Sequence, residues 1–309
     1  MLYDLIIIGG GPAGVAAGIY AARKKIKSLL IAESFGGQSV IAAQINNFIG
    51  FKSISGLELK NVLEEHLRVY EDIEIKEGAK VEKIEAGKSN GNFSVILKSG
   101  EIFQTKTILL AAGSNPRRLQ VPGEEKFEGK GVFYCSTCDA PFLKDKVAAV
   151  VGGGNSAFYA VFDLLPYASK IYVLSRGETL KADPIYIDKA RSSGKVEIIN
   201  FAEAKEILGD KFVSALRYED KKSGEIKTLE VGGIFVEIGY QPNSNMIKGL
   251  ADINQNGKIV VNCETQATSC KGIWAAGDIS SVLYGQINIA IGDGIKAVLN
   301  IYDYLKNNK

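Results

Sequence analysis

The feature that most constrains this 309-residue chain is a repeated unit. Residues 3–33 read YDLIIIGGGPAGVAAGIYAARKKIKSLLIAE, and residues 146–176 read KVAAVVGGGNSAFYAVFDLLPYASKIYVLSR. In each copy a short β-branched run meets a glycine-rich turn, then a helix-like segment, then a second apolar run. Gly9 to Glu33 spans 24 positions, and Gly152 to Arg176 spans 24 again. Chance clusters of glycine would not keep that register. The pattern is the strand–turn–helix–strand unit of dinucleotide-binding proteins, so two nucleotide sites are expected.

The two turns differ in a telling way. In the first, Gly9 allows the tight bend, Gly11 lets backbone N–H groups approach a pyrophosphate, and Gly14 permits close helix–sheet packing. Glu33, 19 positions after Gly14, is placed to accept hydrogen bonds from ribose hydroxyls. The second turn is Gly152-x-Gly154-x-x-Ala157, with Asn155 and Ser156 opening its helix and Arg176 standing where Glu33 stands. Lys181 follows five residues later. A carboxylate there favours two free ribose hydroxyls, while a cation tolerates or prefers a 2′-phosphate. Charge alone therefore favours NADPH over NADH at the second site. The competing reading makes Arg176 and Lys181 solvated surface charges, because Ser175, Gly177 and Glu178 dilute the basic character.

Around the copies the chain reads as meanders. Lys80–Ala86 and Asn92–Lys98 flank the turn at residues 87–91, followed by Glu101–Gln104 and the apolar strand Thr107–Gly113. After the second copy come Phe212–Glu219, a turn at 220–224, Glu225–Glu230 and the strand Gly233–Gly239. A strand at Lys258–Val261, the run GIWAAGDI at 272–279 and an amphipathic helix from about Gln286 to Leu305 end the chain. These last pieces have nothing to pair with alone, so they are expected to return to the first module, with the second inserted in it.

Composition removes several classes. Lys+Arg is 37 and Asp+Glu is 35, a net charge of +2 without a basic block, which excludes an electrostatic nucleic-acid footprint. No apolar stretch approaches the ~20 residues that a membrane-crossing helix needs. The start has no basic n-region, and four cysteines are too sparse for a secreted disulfide scaffold, so a cytoplasmic enzyme is expected. One histidine rules out multi-His zinc sites. That residue, His66, falls at helical spacing with Leu59, Val62, Leu63, Leu67 and Tyr70, and reads as a packed or edge position.

Cys135-Ser-Thr-Cys138-Asp139 lies just upstream of the second turn. A Cys-x-x-Cys pair is redox-active or half a metal knuckle. The missing half would need Cys263 and Cys270, seven residues apart and more than 120 away, so no metal is expected. A dithiol in a short loop can close a disulfide without large backbone motion, and its thiols often ionise easily. Asp139 is placed to shuttle the accompanying proton, or else to cap a turn. Cys263 and Cys270 read as small apolar residues, with a second redox pair as the alternative.

Together GGGPAG, Gly36-Gly37-Gln38, YCSTCD, GGGNSA, GIWAAGD and GQINIAIGDG resemble the low-molecular-weight thioredoxin reductases. They equally resemble the C-terminal flavin–disulfide part of the alkyl hydroperoxide reductase flavoprotein. The resemblance covers essentially the whole chain. It implies an α/β fold of two Rossmann-like three-layer domains, the second inserted in the first. Residues 1–114 and 243–309 would bind FAD, and residues 115–242 would bind NADPH (or NADH) and carry the dithiol. It implies that Gly9, Gly11, Pro12, Ala13, Gly14, Glu33, Gly37, Gln38, Asn47, Gly113, Gly277 and Asp278 line the FAD site. Gln286 and Ile287 would lie near the pyrimidine end of the flavin, and Asp278 would reach the ribityl chain. By the same resemblance Cys138 faces the flavin, Cys135 attacks a protein disulfide and Asp139 is the acid–base group.

The implied partner is thioredoxin or a thioredoxin/glutaredoxin-like protein, and the implied assembly is a homodimer. A rotation of the second domain would let one flavin serve both nicotinamide and disulfide. The chain departs from the family's His-Arg-Arg-x-x-x-Arg run with Ser175-Arg176-Gly177-x-x-x-Lys181, and has Gly285-Gln286 for Arg-Gln. NADH use therefore stays open. The chain also starts directly at the first strand, without a thioredoxin-like module, which points to a separate redox partner. Alternatives are a ferredoxin- or NADH-dependent reductase of the same fold, serving a glutaredoxin-like or peroxiredoxin-linked partner. The retained Gly152/Gly154 turn counts against ferredoxin, and the dithiol counts against a simple NAD(P)H oxidase or ferredoxin–NADP reductase. A non-enzymatic nucleotide-sensing module is the rival from another class.

Overall fold

The computed structural model describes residues 1–42, 45–87 and 91–308. In chain order, β1 (Leu2–Gly10), α1 (Pro12–Arg23) and β2 (Ser28–Phe35) form the first repeat. Next come α2 (Gly56–Arg68), β3 (Ile73–Glu77), β4 (Val81–Ala86), β5 (Phe93–Leu97), β6 (Ile102–Leu110) and β7 (Ser114–Pro116). Then follow β8 (Val132–Phe133), α3 (Ser136–Asp139), β9 (Val147–Val151), α4 (Asn155–Leu164), β10 (Lys170–Leu174), α5 (Pro184–Ser192) and β11 (Val196–Ile199). The meander β12 (Ala202–Gly209), β13 (Val213–Asp220) and β14 (Ile226–Glu230) leads to β15 (Gly233–Val236) and β16 (Tyr240–Pro242). β17 (Ile273–Ala275) and α6 (Ile287–Asn307) close the chain.

Two compact units result: Met1–Asn115 with Gln241–Lys309, and Pro116–Tyr240. Each is a Rossmann-like three-layer α/β unit, the second inserted in the first. In the first unit the sheet runs β3-β2-β1-β6-β5-β4, with β17 also beside β6. β1, β2, β3, β6 and β17 pair in parallel, whereas β4 and β5 form an antiparallel flank. Successive residues of β1 face opposite sides: Leu5 and Ile7 join the core under α1 and α6, while Ile6 and Ile8 join the core on the other face. Burial on both faces explains why this strand reads as continuously apolar rather than alternating. α1 starts with Pro12 in its first turn, where the missing N–H has no helical acceptor to lose, and α2 starts on a Ser55–Glu58 capping box.

The second unit repeats this plan. Its parallel sheet runs β11-β10-β9-β15-β8, with α4 and α5 packed on one face and β12-β13-β14 on the other. Phe235 faces α4, whereas Ile234 and Val236 face the meander.

The structure corrects two sequence expectations. Glu101–Gln104 and Thr107–Gly113 are not separate strands, because β6 runs unbroken from Ile102 to Leu110. Its buried threonines satisfy their hydroxyls on backbone carbonyls, Thr105 on Thr107 at 2.9 Å and Thr107 on Asp4 at 2.6 Å, so polar residues persist inside it. Lys258–Val261 forms isolated bridges, Ile259 with Ile253 and Ser280 and Val261 with Thr268, because its neighbours are loops. Helix α5 and strands β11 and β12 were not anticipated. The turn at 87–91 lies partly outside the described residues. His66 is exposed on α2, its ring 6.1 Å from that of Tyr70. Among the described residues no helix is long and apolar enough to cross a membrane.

α1 and α6 approach closely because Gly294 meets the backbone of Ala13, and a Cβ there would collide with the Ala13 carbonyl. Gly294→Val is therefore expected to destabilise the first unit by about 1–3 kcal/mol through overpacking, read as a lower thermal midpoint.

Candidate functional site

Both glycine turns are built the same way. Gly9, with φ at +122°, lies against the carbonyl of Ala111, the residue just past β6. Gly152 lies against the carbonyl of Glu237, the residue just past β15. Ala111 N–H donates to Ile8 and Glu237 N–H to Val151, each at 2.8 Å. No side chain fits at either contact. The helices therefore start flush against the sheet, and their free N–H groups face the crevice at the strand ends.

At the first turn, Gly14 abuts the Gly9 carbonyl, and Ala13 packs against Gly277. A Cβ on Gly11 would meet the Cα of Gly37 at 3.9 Å, and one on Gly37 would meet the Cα of Gly11 at 3.3 Å, so these two glycines lie close against each other. Both α1, with Pro12 at its start and no side-chain cap, and the twin glycines suit a pyrophosphate. Gln38 Nε2 donates to the Ser114 carbonyl at 2.5 Å and to Asp278 Oδ2 at 3.4 Å. Burial raises the Asp278 carboxyl above its usual range, and Lys258 and Gln38 draw it partly back. Asn47 Nδ2 donates to Gln286 Oε1 at 3.2 Å, and Gln286 occupies the N-cap position of the helix that begins at Ile287 without a side-chain capping bond. Gly113, at φ +63°, accepts from Asn243 N–H at 3.0 Å. Glu33 stands apart, exposed at the end of β2 and paired with Lys80 at 3.1 Å.

The second turn is more open: nothing lies within 4 Å of a Cβ built on Gly154. Ala157 is fully buried, and Ser156 beside it is exposed. Asn155 is bonded to Asp183 twice, its Oδ1 accepting from the Asp183 N–H at 2.8 Å and its Nδ2 donating to Oδ2 at 3.1 Å. Lys181 N–H donates to the Gly153 carbonyl at 2.7 Å. Residues 181–183 thus clamp onto the turn. The Arg176 side chain is 78% exposed, its Nη1 4.0 Å from Glu203 Oε1, and the Lys181 residue is exposed too. Beside them a cleft of about 350 Å³ is lined by Glu178, Thr179, Leu180, Arg191 and Asn200, among others.

Cys135 and Cys138 form a disulfide with Cα atoms 5.4 Å apart. α3 closes through the Cys135 carbonyl, which accepts from the N–H groups of Cys138 at 3.2 Å and Asp139 at 3.0 Å. Burial alone pushes the Asp139 carboxyl up to about 7. A carboxyl poised there can take or give a proton near neutrality. Among the described residues no cluster of three His, Cys, Asp or Glu could hold a metal ion. Cys263 and Cys270 are both free; Cys270 packs on the core, but Cys263 is exposed, contrary to the apolar-residue expectation.

Sequence reasoning missed three carboxyls of the second unit, one of them bonded to the dithiol loop. Asp163 on α4 accepts from Ser136 and Thr137, the two residues between the cysteines. Glu237 is raised to about 8 by burial and, secondarily, by the charge of Asp163. Glu124 is buried and accepts from the N–H groups of Leu119 and Gln120 and from the Tyr134 hydroxyl, all at 2.8 Å. The Tyr134 carbonyl, one residue before Cys135, accepts from the Tyr240 hydroxyl. Asp163 and Glu237 left a trace, each a lone charge in an apolar run; Glu124 left none.

The profile of the pyridine nucleotide-disulphide oxidoreductase family matches residues 3–294. The chain is 39% identical over 306 residues to a protein named NADH dehydrogenase from Bacillus subtilis. It is 41% identical over 305 residues to an alkyl hydroperoxide reductase component of Pseudomonas aeruginosa. These matches take in 99% and 98% of this chain, but only 59% and 58% of the relatives' own lengths. A thioredoxin reductase structure from Streptococcus pyogenes superposes with TM-score 0.92 at 35% identity, covering 99% of both chains. One from Giardia duodenalis gives 0.91 at 30% identity, also over 99% of both chains. Two glycine turns of one design, a bonded Cys-x-x-Cys before the second and a match along nearly the whole length make this chain a member of the pyridine nucleotide-disulphide oxidoreductase family.

Proposed function

We propose that this protein is a flavoprotein disulfide reductase that moves electrons from a reduced nicotinamide dinucleotide to a thioredoxin-like protein. The observation that carries this reading is the Cys135–Cys138 disulfide, followed at once by a carboxyl raised to about 7. The first unit would hold FAD, with the Gly9–Gly14 turn and Gly37 around the pyrophosphate, Glu33 at the ribose, Asp278 at the ribityl chain and Asn47, Gln286 and Ile287 toward the flavin. The second unit would hold NAD(P)H on its Gly152–Ala157 turn. FAD, when bound, relays the electron pair of a reduced nicotinamide to a disulfide.

The dithiol half of the reaction belongs to this chain's own residues. The Cys135–Cys138 bond takes up two electrons and two protons as it opens, one proton passing through Asp139. Cys135 as thiolate then attacks the partner's disulfide, and Cys138 displaces the partner from the mixed disulfide, leaving a reduced partner and a closed pair. Similarity to the alkyl hydroperoxide reductase component supports a second reading of the partner, a thioredoxin-like module that feeds a peroxide-reducing protein.

At the second site Arg176 and Lys181 support NADPH, and Glu203 near Arg176 moderates that preference. Arg176→Ala is expected to raise KM for NADPH by about threefold to tenfold, a loss of roughly 0.7–1.4 kcal/mol, and to leave NADH use nearly unchanged. Equal effects on both nucleotides would refute the phosphate assignment.

The direct test is anaerobic addition of NADPH, then NADH, to the purified yellow protein, followed by oxidised thioredoxin. Bleaching without transfer to thioredoxin would reject the reading. Cys138→Ser is expected to abolish thioredoxin reduction while the flavin still bleaches with NADPH.

Asp139 links activity to stability. Its carboxyl goes from about 3.8 unfolded to about 7 folded, so between those pH values the unfolded chain sheds its proton first. The folded state therefore loses relative stability as pH rises from 4 to 7. Asp139→Asn should melt higher than wild type at pH 8, match it at pH 4, and lose about 100-fold in disulfide reduction.

A further inference from the structure

Both residues between the cysteines are tied to a single oxygen on another element. Asp163 Oδ2 accepts from Ser136 Oγ at 2.8 Å and from Thr137 Oγ1 at 3.2 Å. It is the one charged residue in α4, whose sequence is NSAFYAVFDL. Among the described residues no Lys or Arg forms an ion pair with Asp163, Asp139 or Glu237. The turn after α3, residues 140–143, reads APFL and adds no charge.

The strand beyond α4 adds a third carboxyl. Alternation along β15 puts Phe235 on the α4 face, and Glu237 follows two residues later, its N–H still on the sheet ladder through Val151. Its side chain therefore lies on the α4 face as well, within electrostatic reach of Asp163. The same position in the first unit is Ala111. The second copy has thus gained an acidic group where the first has a methyl, on the face that carries the dithiol loop. Asp139 from α3, Asp163 from α4 and Glu237, just past β15, add three carboxyls on the α4 side, none in an ion pair with Lys or Arg among the described residues.

We propose that Asp163 is a positioning residue of the dithiol loop: it fixes Ser136 and Thr137, and its charge restrains thiolate formation at the opened Cys135–Cys138 pair. A negative charge bonded to the loop disfavours a second one forming there. Burial, and secondarily the charge of Asp163, raises the Glu237 carboxyl to about 8. This inference rests on the disulfide-exchange reading, but its test reads the thiol alone and needs neither nucleotide nor partner.

The experiment uses the full chain in a Cys138→Ser background, reduced with dithiothreitol and desalted anaerobically. Iodoacetamide labelling of Cys135 is followed against pH by mass spectrometry of its peptide, which separates it from Cys263 and Cys270. Asp163→Asn keeps an acceptor for both hydroxyls and removes the charge. Glu237 would then ionise more easily and mask the change, so Asp163→Asn/Glu237→Gln is measured in parallel. The expected result is a Cys135 thiol pKa lower by about one unit in the double variant, with labelling at pH 7 faster by roughly threefold to tenfold. Asp163→Ala/Glu237→Gln should show the same shift together with a lower thermal midpoint. Labelling profiles of the double variant that coincide with those of its Asp163/Glu237 parent would overturn the proposal. A shifted thiol pKa in a protein that fails to reduce thioredoxin would instead sink the reductase reading and leave this one standing.

Discussion

The structure depends on one steric constraint used twice. Where a parallel strand turns into the helix that covers the sheet, a glycine must press against the backbone just past the neighbouring strand. Gly9 meets Ala111 there and Gly152 meets Glu237. Because no side chain separates them, the helix begins within reach of the sheet, and its unpaired N–H groups open onto the crevice rather than into protein. At the second turn nothing lies within 4 Å of a Cβ on Gly154, whereas at the first Gly37 lies close against Gly11. A helix N-terminus of this kind suits an anion.

On that shared frame the two units differ chiefly in charge. The first places Glu33 beyond its turn and pairs it with Lys80. The second places Arg176 at the matching position and sets Glu203 beside it. More consequential for chemistry, the second unit carries its dithiol on a four-residue helix packed against α4 and bonds the loop to Asp163, which forms no ion pair with Lys or Arg among the described residues. Burial there keeps Asp139 near neutrality rather than near its ordinary acidity. A frame that only bound a nucleotide would have no use for that expense of desolvation.

The fold class and the two glycine turns are legible because they rest on short-range patterns. Continuous apolar runs mark strands buried on both faces, and the glycine spacing marks where backbone must approach backbone. The sequence reading splits β6 across Thr105-Lys106, between Gln104 and Thr107; inside the protein the Thr105 hydroxyl finds a carbonyl, and the strand continues. Lys258–Val261 has strand composition, but its pairing depends on what lies beside it, and there it meets loops.

What the sequence determined by itself was local: the repeat, the turn chemistry, the adjacent cysteines and Asp139. Tertiary structure decided which distant side chains share a site, since that depends on contacts between residues far apart in the chain. It brought Gln38 to Asp278 and Asn47 to Gln286 across 240 and 239 positions. It also set Asp163 on the loop between the cysteines, and left Glu237 enclosed beside it. A lone carboxylate in an apolar run can be noticed in one dimension; whether it faces solvent, a cation or another carboxylate is fixed only when the chain packs.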